Sequence, residues 1–82
     1  MIVREDVVAL QQRVLGLTRD VQRFEREFES AVSLRSAAID DAARSAAVRE
    51  GAIASSKLSD ARQRLSDAKR ALAKLQGDEY ER

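Results

Sequence analysis

Few side chains in this sequence could carry out acid/base or nucleophilic chemistry, and their spacing does not favour it. The chain contains no His and no Cys, which removes the commonest general acid/base group and the thiol nucleophile. Asp40 and Asp41 are adjacent, and adjacent residues on a helix point in different directions, so this pair is typical of a helix cap or turn. Asp60 and Asp67 are one heptad apart among Lys and Arg residues, which is the pattern of a solvated helix face. The sequence therefore predicts a protein that is not an enzyme.

Binding sites for cofactors, metals and small substrates have equally little support. Ser55 and Ser56 have no neighbouring base that could activate a hydroxyl group. The three Gly residues are isolated from one another, so there is no phosphate-binding loop. A carboxylate metal site in a helical bundle needs Asp or Glu converging from facing helices, whereas the inward positions described below are apolar. We expect no cofactor, no metal and no small-molecule substrate.

Basic residues in the second half of the chain suggest a nucleic-acid alternative. Between residues 57 and 74 only Asp60 and Asp67 oppose a set of Lys and Arg, although the whole chain has a net charge of only +1. The segment lacks aromatic residues for stacking on bases, so the pattern favours a solvated coiled-coil face over a phosphate-binding one. In the nucleic-acid alternative, the candidate phosphate contacts are Arg62, Lys69, Arg70 and Lys74.

Composition indicates one small helical domain covering residues 1–82. The chain has no Pro, which lets helices run without interruption, and no Cys, which fits a reducing compartment. The N-terminal segment has no uninterrupted apolar run, so we expect neither a signal peptide nor a transmembrane segment. The sequence thus predicts a cytoplasmic protein that does not bind membranes.

Two apolar stripes with heptad spacing dominate the sequence and predict long helices that pack lengthwise. Each stripe advances by alternating steps of three and four residues. The first stripe consists of Val3, Val7, Leu10, Val14, Leu17, Val21, Phe24, Phe28 and Ala31. The second stripe consists of Ala54, Leu58, Ala61, Leu65, Ala68, Leu72 and Leu75.

The offset between the stripes favours an antiparallel hairpin over one continuous rod. Ala31 and Ala54 are 23 residues apart, which neither a heptad repeat nor a single stutter accommodates. If the chain folds so that paired residue numbers add to 82, the seven layers from Val7–Leu75 to Phe28–Ala54 are all apolar, and large residues of the first stripe meet Ala or Leu of the second. The same register predicts ion pairs between Asp20 and Arg64 and between Glu27 and Lys57.

The predicted fold is all-α: an antiparallel coiled-coil helical hairpin of two long helices. We expect helices over about residues 3–38 and 42–76, an Ala/Ser-rich tip over about 33–53 and a frayed tail over 77–82, with Gly77 ending the second helix. The turn is predicted at Asp40 and Asp41. The alternative is a break at Gly51, which would create a short third helical segment at the tip, capped at its start by Ser33 or Ser36.

A second, weaker strip lies beside the first stripe and suggests a contact outside the hairpin. Two apolar residues are joined there by uncharged polar ones, although a two-helix hairpin has no use for a further apolar face. We interpret the strip as an interface with a third helix, from another copy in a larger helical bundle or from a protein partner. The expected function is therefore association, in a structural, assembly, adaptor or inhibitor role. The strip consists of Val8, Gln11, Leu15, Thr18 and Gln22.

Overall fold

Two long helices form an antiparallel hairpin, as the sequence predicts. The computed structural model describes residues 5–80, in which α1 spans Glu5–Ala37 and α2 spans Asp41–Tyr80. The Cα atoms extend over 63 × 17 × 13 Å, so the molecule is a thin rod two helices wide. Residues 3 and 4 of the predicted first helix and residues 81 and 82 of the predicted tail lie outside the described residues. Neither helix, over the described part of the chain, combines the length and apolar composition needed to cross a bilayer.

The turn occupies residues 38–40, close to the predicted centre of the chain. Asp40 is the N-cap of α2, since its Oδ1 accepts a hydrogen bond of 2.7 Å from the Ala43 backbone N–H. Its backbone carbonyl accepts the first intrahelical bond, from the Arg44 N–H at 3.1 Å. The sharp turn therefore follows from a short polar side chain that satisfies an otherwise free helix N-terminus.

The alternative break at Gly51 is wrong, because α2 continues through this residue. Ser33 and Ser36 lie inside α1, so they cap no third segment. Gly77 is also helical, and no glycine among the described residues has a positive φ, so the predicted left-handed helix end at Gly77 is wrong and α2 reaches Tyr80. A helical glycine costs only about 1 kcal/mol relative to Ala, which neighbouring helix formers and interhelical packing can offset.

The core is a single line of contact between the two stripes. The first-stripe residues from Val7 to Phe24 are half-buried, and Phe28 is at the edge with 36% exposure. Large side chains on α1 thus lie over small ones on α2, in the alternation that the register predicts. The buried residues, each 8% exposed or less, are Ala31, Ala47, Ala54, Leu58, Ala61 and Ala68.

The second stripe begins closer to the turn than Ala54, the residue at which the sequence predicts its start. Ala47 is 4% exposed and Gly51 is half-buried, and both continue the spacing of Ala54 backwards by steps of three and four. A Cβ placed on Gly51 would lie 3.7 Å from the Cβ of Ala31, so the two helices approach closely at this layer. The numbers of Ala31 and Gly51 add to 82, which agrees with the predicted register.

The predicted ion pair between Asp20 and Arg64 is wrong, although both residues line one shallow groove between the helices. Asp20 instead pairs with Arg23 at 3.7 Å, and Arg64 pairs with Asp60 at 3.2 Å, each within its own helix. Partners three or four residues apart are held close by the helix itself, so on an exposed surface they compete well with a partner across the hairpin.

The predicted pair between Glu27 and Lys57 does not form either. The Lys57 Nζ lies 5.9 Å from the centroid of the Phe24 ring, a cation–π distance. Among the described residues, the ion pair that joins the helices is Arg62 Nη2 to Glu25 Oε1 at 3.1 Å. Glu25 and Arg62 lie on one broad side of the hairpin, and the residues of the two predicted pairs lie on the opposite broad side. The observed pair therefore distinguishes the two sides of the rod.

Removal of the N-cap should destabilise the hairpin measurably. We expect Asp40→Ala to lower the free energy of unfolding by about 0.5–2 kcal/mol, because the Ala43 N–H loses its acceptor. Asp40→Asn keeps an oxygen at the same place and should remain near the wild type. Thermal unfolding followed by circular dichroism measures both variants, and equal loss from Asn and Ala would contradict a capping role.

Candidate association surface

The two sides of the hairpin differ in charge, and the Glu25–Arg62 pair marks the less charged one. The predicted strip on α1 reaches Glu25 when its steps of three and four are continued from Gln22, and further steps reach Glu29 and Val32. On α2 the same steps around Arg62 reach small residues and Lys69. Because the ion pair joins the two strips, they lie on one side, which we call the low-charge flank. The α2 strip consists of Ala52, Ser55, Ser59, Arg62, Ser66, Lys69 and Ala73.

The apolar members of the predicted strip are open to solvent. Val8 is 38% exposed and Leu15 is 52% exposed, and Gln11 and Gln22 are exposed between and beyond them. Thr18 is partly buried, and its hydroxyl donates a hydrogen bond of 2.7 Å to the Val14 carbonyl. A hydroxyl bonded within its own helix needs no further partner, so this position presents a methyl group at low desolvation cost.

Exposed apolar side chains near the turn extend the same flank. Val32 is 47% exposed and Ile39 is 95% exposed, and Val48 on α2 is 45% exposed. Val32 lies seven residues beyond Glu25, and Val48 lies seven before Ser55, so both lie on the low-charge flank near the turn, whereas Ile39 belongs to the turn itself. The flank thus has apolar residues at both ends of the rod. From the sequence we predicted only the end with Val8 and Leu15. Val32 lies two heptads beyond Thr18 of the predicted strip, and this spacing could have identified the other end.

The opposite flank is charged along its length. One groove there is lined by Arg23, Glu27, Glu50 and Lys57 around the 57%-exposed Ile53, and a second is lined by charged residues farther from the turn. Apolar contact over this flank would desolvate many charges, which is costly. The charged residues of the second groove are Asp20, Lys57, Asp60 and Arg64.

The basic residues proposed as phosphate contacts are only partly brought together. Arg62, Lys69 and Arg70 line one shallow depression with Leu65, Ser66 and Ala73, while Lys74 is not part of it. Arg62 is engaged by Glu25, which removes much of its attraction for an anion. Three of the four proposed phosphate contacts therefore lie together and the fourth lies apart. Phosphate binding stays a prediction that the structure does not strengthen.

The carboxylates singled out in the sequence have structural roles in the hairpin. Asp40 caps α2, and Asp41 pairs with Arg44 at 3.7 Å. Asp67 accepts a hydrogen bond of 3.1 Å from the Gln63 amide. Among the side chains of residues 5–77, no three His, Cys, Asp or Glu gather in a way that could hold a metal ion.

Comparison with models of protein families, with curated proteins and with solved structures finds no match to this chain.

Proposed function

We propose that the chain is a non-catalytic coiled-coil protein that acts by protein–protein association, in a structural, assembly or adaptor role. The observation that carries the proposal is the low-charge flank, on which Val8 and Leu15 are exposed beside a continuous heptad core. A helix that needed only its hairpin partner would carry polar residues at these positions. Among the residues that the structure describes, none larger than Leu58 is buried, so a further apolar contact would add substantially to the stability of the hairpin.

Association should depend on Val8 and Leu15. We expect the double variant Val8→Glu/Leu15→Glu to remain helical, because both residues lie outside the core stripe, and to lose association by more than about tenfold. The physical reason is that a carboxylate forced into an apolar contact loses water without gaining a counter-ion. Circular dichroism measures the helix content, and analytical ultracentrifugation and pull-down with purified partner or host extract measure association.

The matched control uses the neighbouring positions. Ala9→Glu/Gly16→Glu adds the same two charges at the same heptad spacing, but one residue further along the helix and away from the low-charge flank. This control should associate like the wild type. The proposal is refuted if the Val8/Leu15 variant retains all association of the wild type, with itself and with every partner that the wild type captures.

A further inference from the structure

We propose that the turn end of the hairpin is a second docking surface, which inserts into a concave apolar pocket of a partner protein. This surface, which we call the tip, comprises residues 28–53, the part of the rod within about 18 Å of the turn. The inference goes beyond the proposed function, because that function depends on Val8 and Leu15 at the other end of the rod. It is supported by the exposed apolar residues of the tip, by their distribution around the rod and by the charges at the turn.

Exposed apolar side chains are concentrated at the tip. Among the described residues, eight large apolar residues are exposed, and six of them lie within residues 28–53. The tip takes up less than about a third of the 63 Å rod. Single exposed apolar residues are normal on a protein surface, whereas a concentration of them marks an interaction site. The six residues are Phe28, Val32, Leu34, Ile39, Val48 and Ile53.

The apolar residues of the tip surround the rod instead of lying on one side of it. Val32 and Val48 lie on the low-charge flank. Leu34 lies seven residues beyond Glu27, which places it on the opposite, charged flank. Ile53 lies on that flank too, in the groove that Glu27 lines. A flat partner can cover only one of these flanks, whereas a concave partner covers both.

Ile39 lies at the end of the rod, in a turn that hydrogen bonds hold in place. It is 95% exposed, so its aliphatic side chain lies almost wholly in water. The Asp40 carboxylate and carbonyl accept bonds of 2.7 and 3.1 Å from the Ala43 and Arg44 N–H groups. Because the turn is already ordered, its insertion into a pocket costs little conformational entropy, which favours binding.

The area of the tip favours enclosure over contact on one side. The Cα extents of 17 × 13 Å across the rod give a perimeter of about 60 Å, so a length of about 18 Å presents about 1,100 Å² on all sides. One broad side of the same length presents only about 300 Å². A standard interface buries about 800 Å² per partner, which the enclosed tip supplies and one side does not.

The charges of the tip favour a protein pocket over a lipid surface. Residues 28–53 contain three Arg and four Asp or Glu, so the tip has no excess of positive charge that would attract anionic headgroups. Asp40 and Asp41 directly follow Ile39, and insertion of Ile39 into hydrocarbon would carry both carboxylates with it at high cost. The Asp41 side chain is fully exposed and pairs with Arg44 only at 3.7 Å. We therefore expect the pocket to have apolar side chains on its wall and a Lys or Arg at its floor.

A second copy of the chain does not provide such a pocket. The described residues form a thin rod, and a rod that lies along one flank leaves the other flank and the turn uncovered. Two tips placed end to end would cover the turns and leave both flanks in water. The pocket therefore belongs to a different protein.

Photocrosslinking from both flanks of the tip tests the enclosure. The chain has no Cys, so a benzophenone label can be placed singly through Ser30→Cys on the charged flank, Ser36→Cys on the low-charge flank or Gln12→Cys at the far end. Each labelled chain is irradiated in extract of the source cells, and mass spectrometry identifies the crosslinked protein. We expect one and the same protein at positions 30 and 36, with a yield at position 12 that is lower by at least about tenfold.

Ile39→Glu tests whether the apolar end of the rod carries the contact. The variant should keep its helix content in circular dichroism, because Ile39 is exposed in the turn and packs in no core layer. The yield of both tip crosslinks should fall by at least about tenfold, since a carboxylate enters an apolar pocket without a partner. Gln12→Glu is the matched control, which adds the same charge at the far end and should leave both yields unchanged.

Each alternative occupant gives a different result, and any of these results overturns the proposal. A protein crosslinked at only one of positions 30 and 36 would indicate a flat partner, and a crosslink to the chain itself would indicate a second copy. Flotation with vesicles of phosphatidylcholine and phosphatidylglycerol that is lost in Ile39→Glu would indicate a lipid surface. Absence of crosslinks at both positions, or undiminished crosslinks in Ile39→Glu, would exclude docking through the tip.

Discussion

Leu58→Ala should lower the free energy of unfolding by about 2–5 kcal/mol, the range for deleting a buried Leu side chain. Leu58, with 8% exposure, is the largest buried residue in the described part of the hairpin, and the register pairs it with Phe24 on α1. Its truncation opens a void in a core that is one layer of side chains deep and cannot easily collapse around it. For a domain of 82 residues, such a loss is comparable with the whole stability.

A matched Leu on the surface provides the control for Leu58. Leu34 is 53% exposed, so Leu34→Ala removes the same atoms with little change in burial and should cost less than about 0.5 kcal/mol. Urea denaturation at one fixed protein concentration measures both free energies, which avoids confusion with any change in association. Equal costs at positions 34 and 58 would mean that the two heptad stripes do not form the core.

Gly51→Leu should destabilise the hairpin by about 1–3 kcal/mol, the usual cost of overpacking. A Cβ at Gly51 would already meet the Ala31 Cβ at 3.7 Å, which is ordinary van der Waals contact, so Gly51→Ala should be tolerated and should gain helix propensity. The further carbons of Leu extend beyond a Cβ that is already in contact with the facing helix. They would force the two helices apart near the turn.

The same substitution at Gly16 separates packing from helix propensity. Gly16 is also helical, but a Cβ there would meet nothing within 4 Å. Gly16→Leu should therefore stabilise the chain by up to about 1 kcal/mol through helix propensity alone. Opposite signs for the two Leu variants in chemical denaturation are the expected result, and equal stabilisation at both positions would show that the helices do not approach closely at Gly51.

The fold could be predicted from the sequence because its main determinant is periodic. The stripes from Val7 to Ala31 and from Ala54 to Leu75 repeat every heptad, so they specify helices, a buried side and a register with little dependence on context. Apolar layers along the whole register made the hairpin the consistent arrangement. Asp40 then marked the turn, since a short polar side chain at that point caps the second helix.

The structural role of Gly51 could not be predicted from the periodic pattern. A lone glycine between helical segments is typical of a helix end, and only the facing residue Ala31 shows that the absent side chain serves close packing. Gly77 likewise lies inside α2, where a left-handed helix end was expected. Local propensities of about 1 kcal/mol per residue are smaller than the packing energy of a long helix, so tertiary contact overrides them.

The sequence by itself thus determined the two helices, their antiparallel register, the turn and the exposed strip with Val8 and Leu15. Only the tertiary structure decided which charges pair across the hairpin, because surface ion pairs differ by less than about 1 kcal/mol and helix neighbours compete for each partner. The Glu25–Arg62 pair in turn revealed that the strips on α1 and α2 share one flank. Burial of apolar residues is large and periodic and can be predicted from one chain, whereas small competing surface energies are resolved only once both helices are in place.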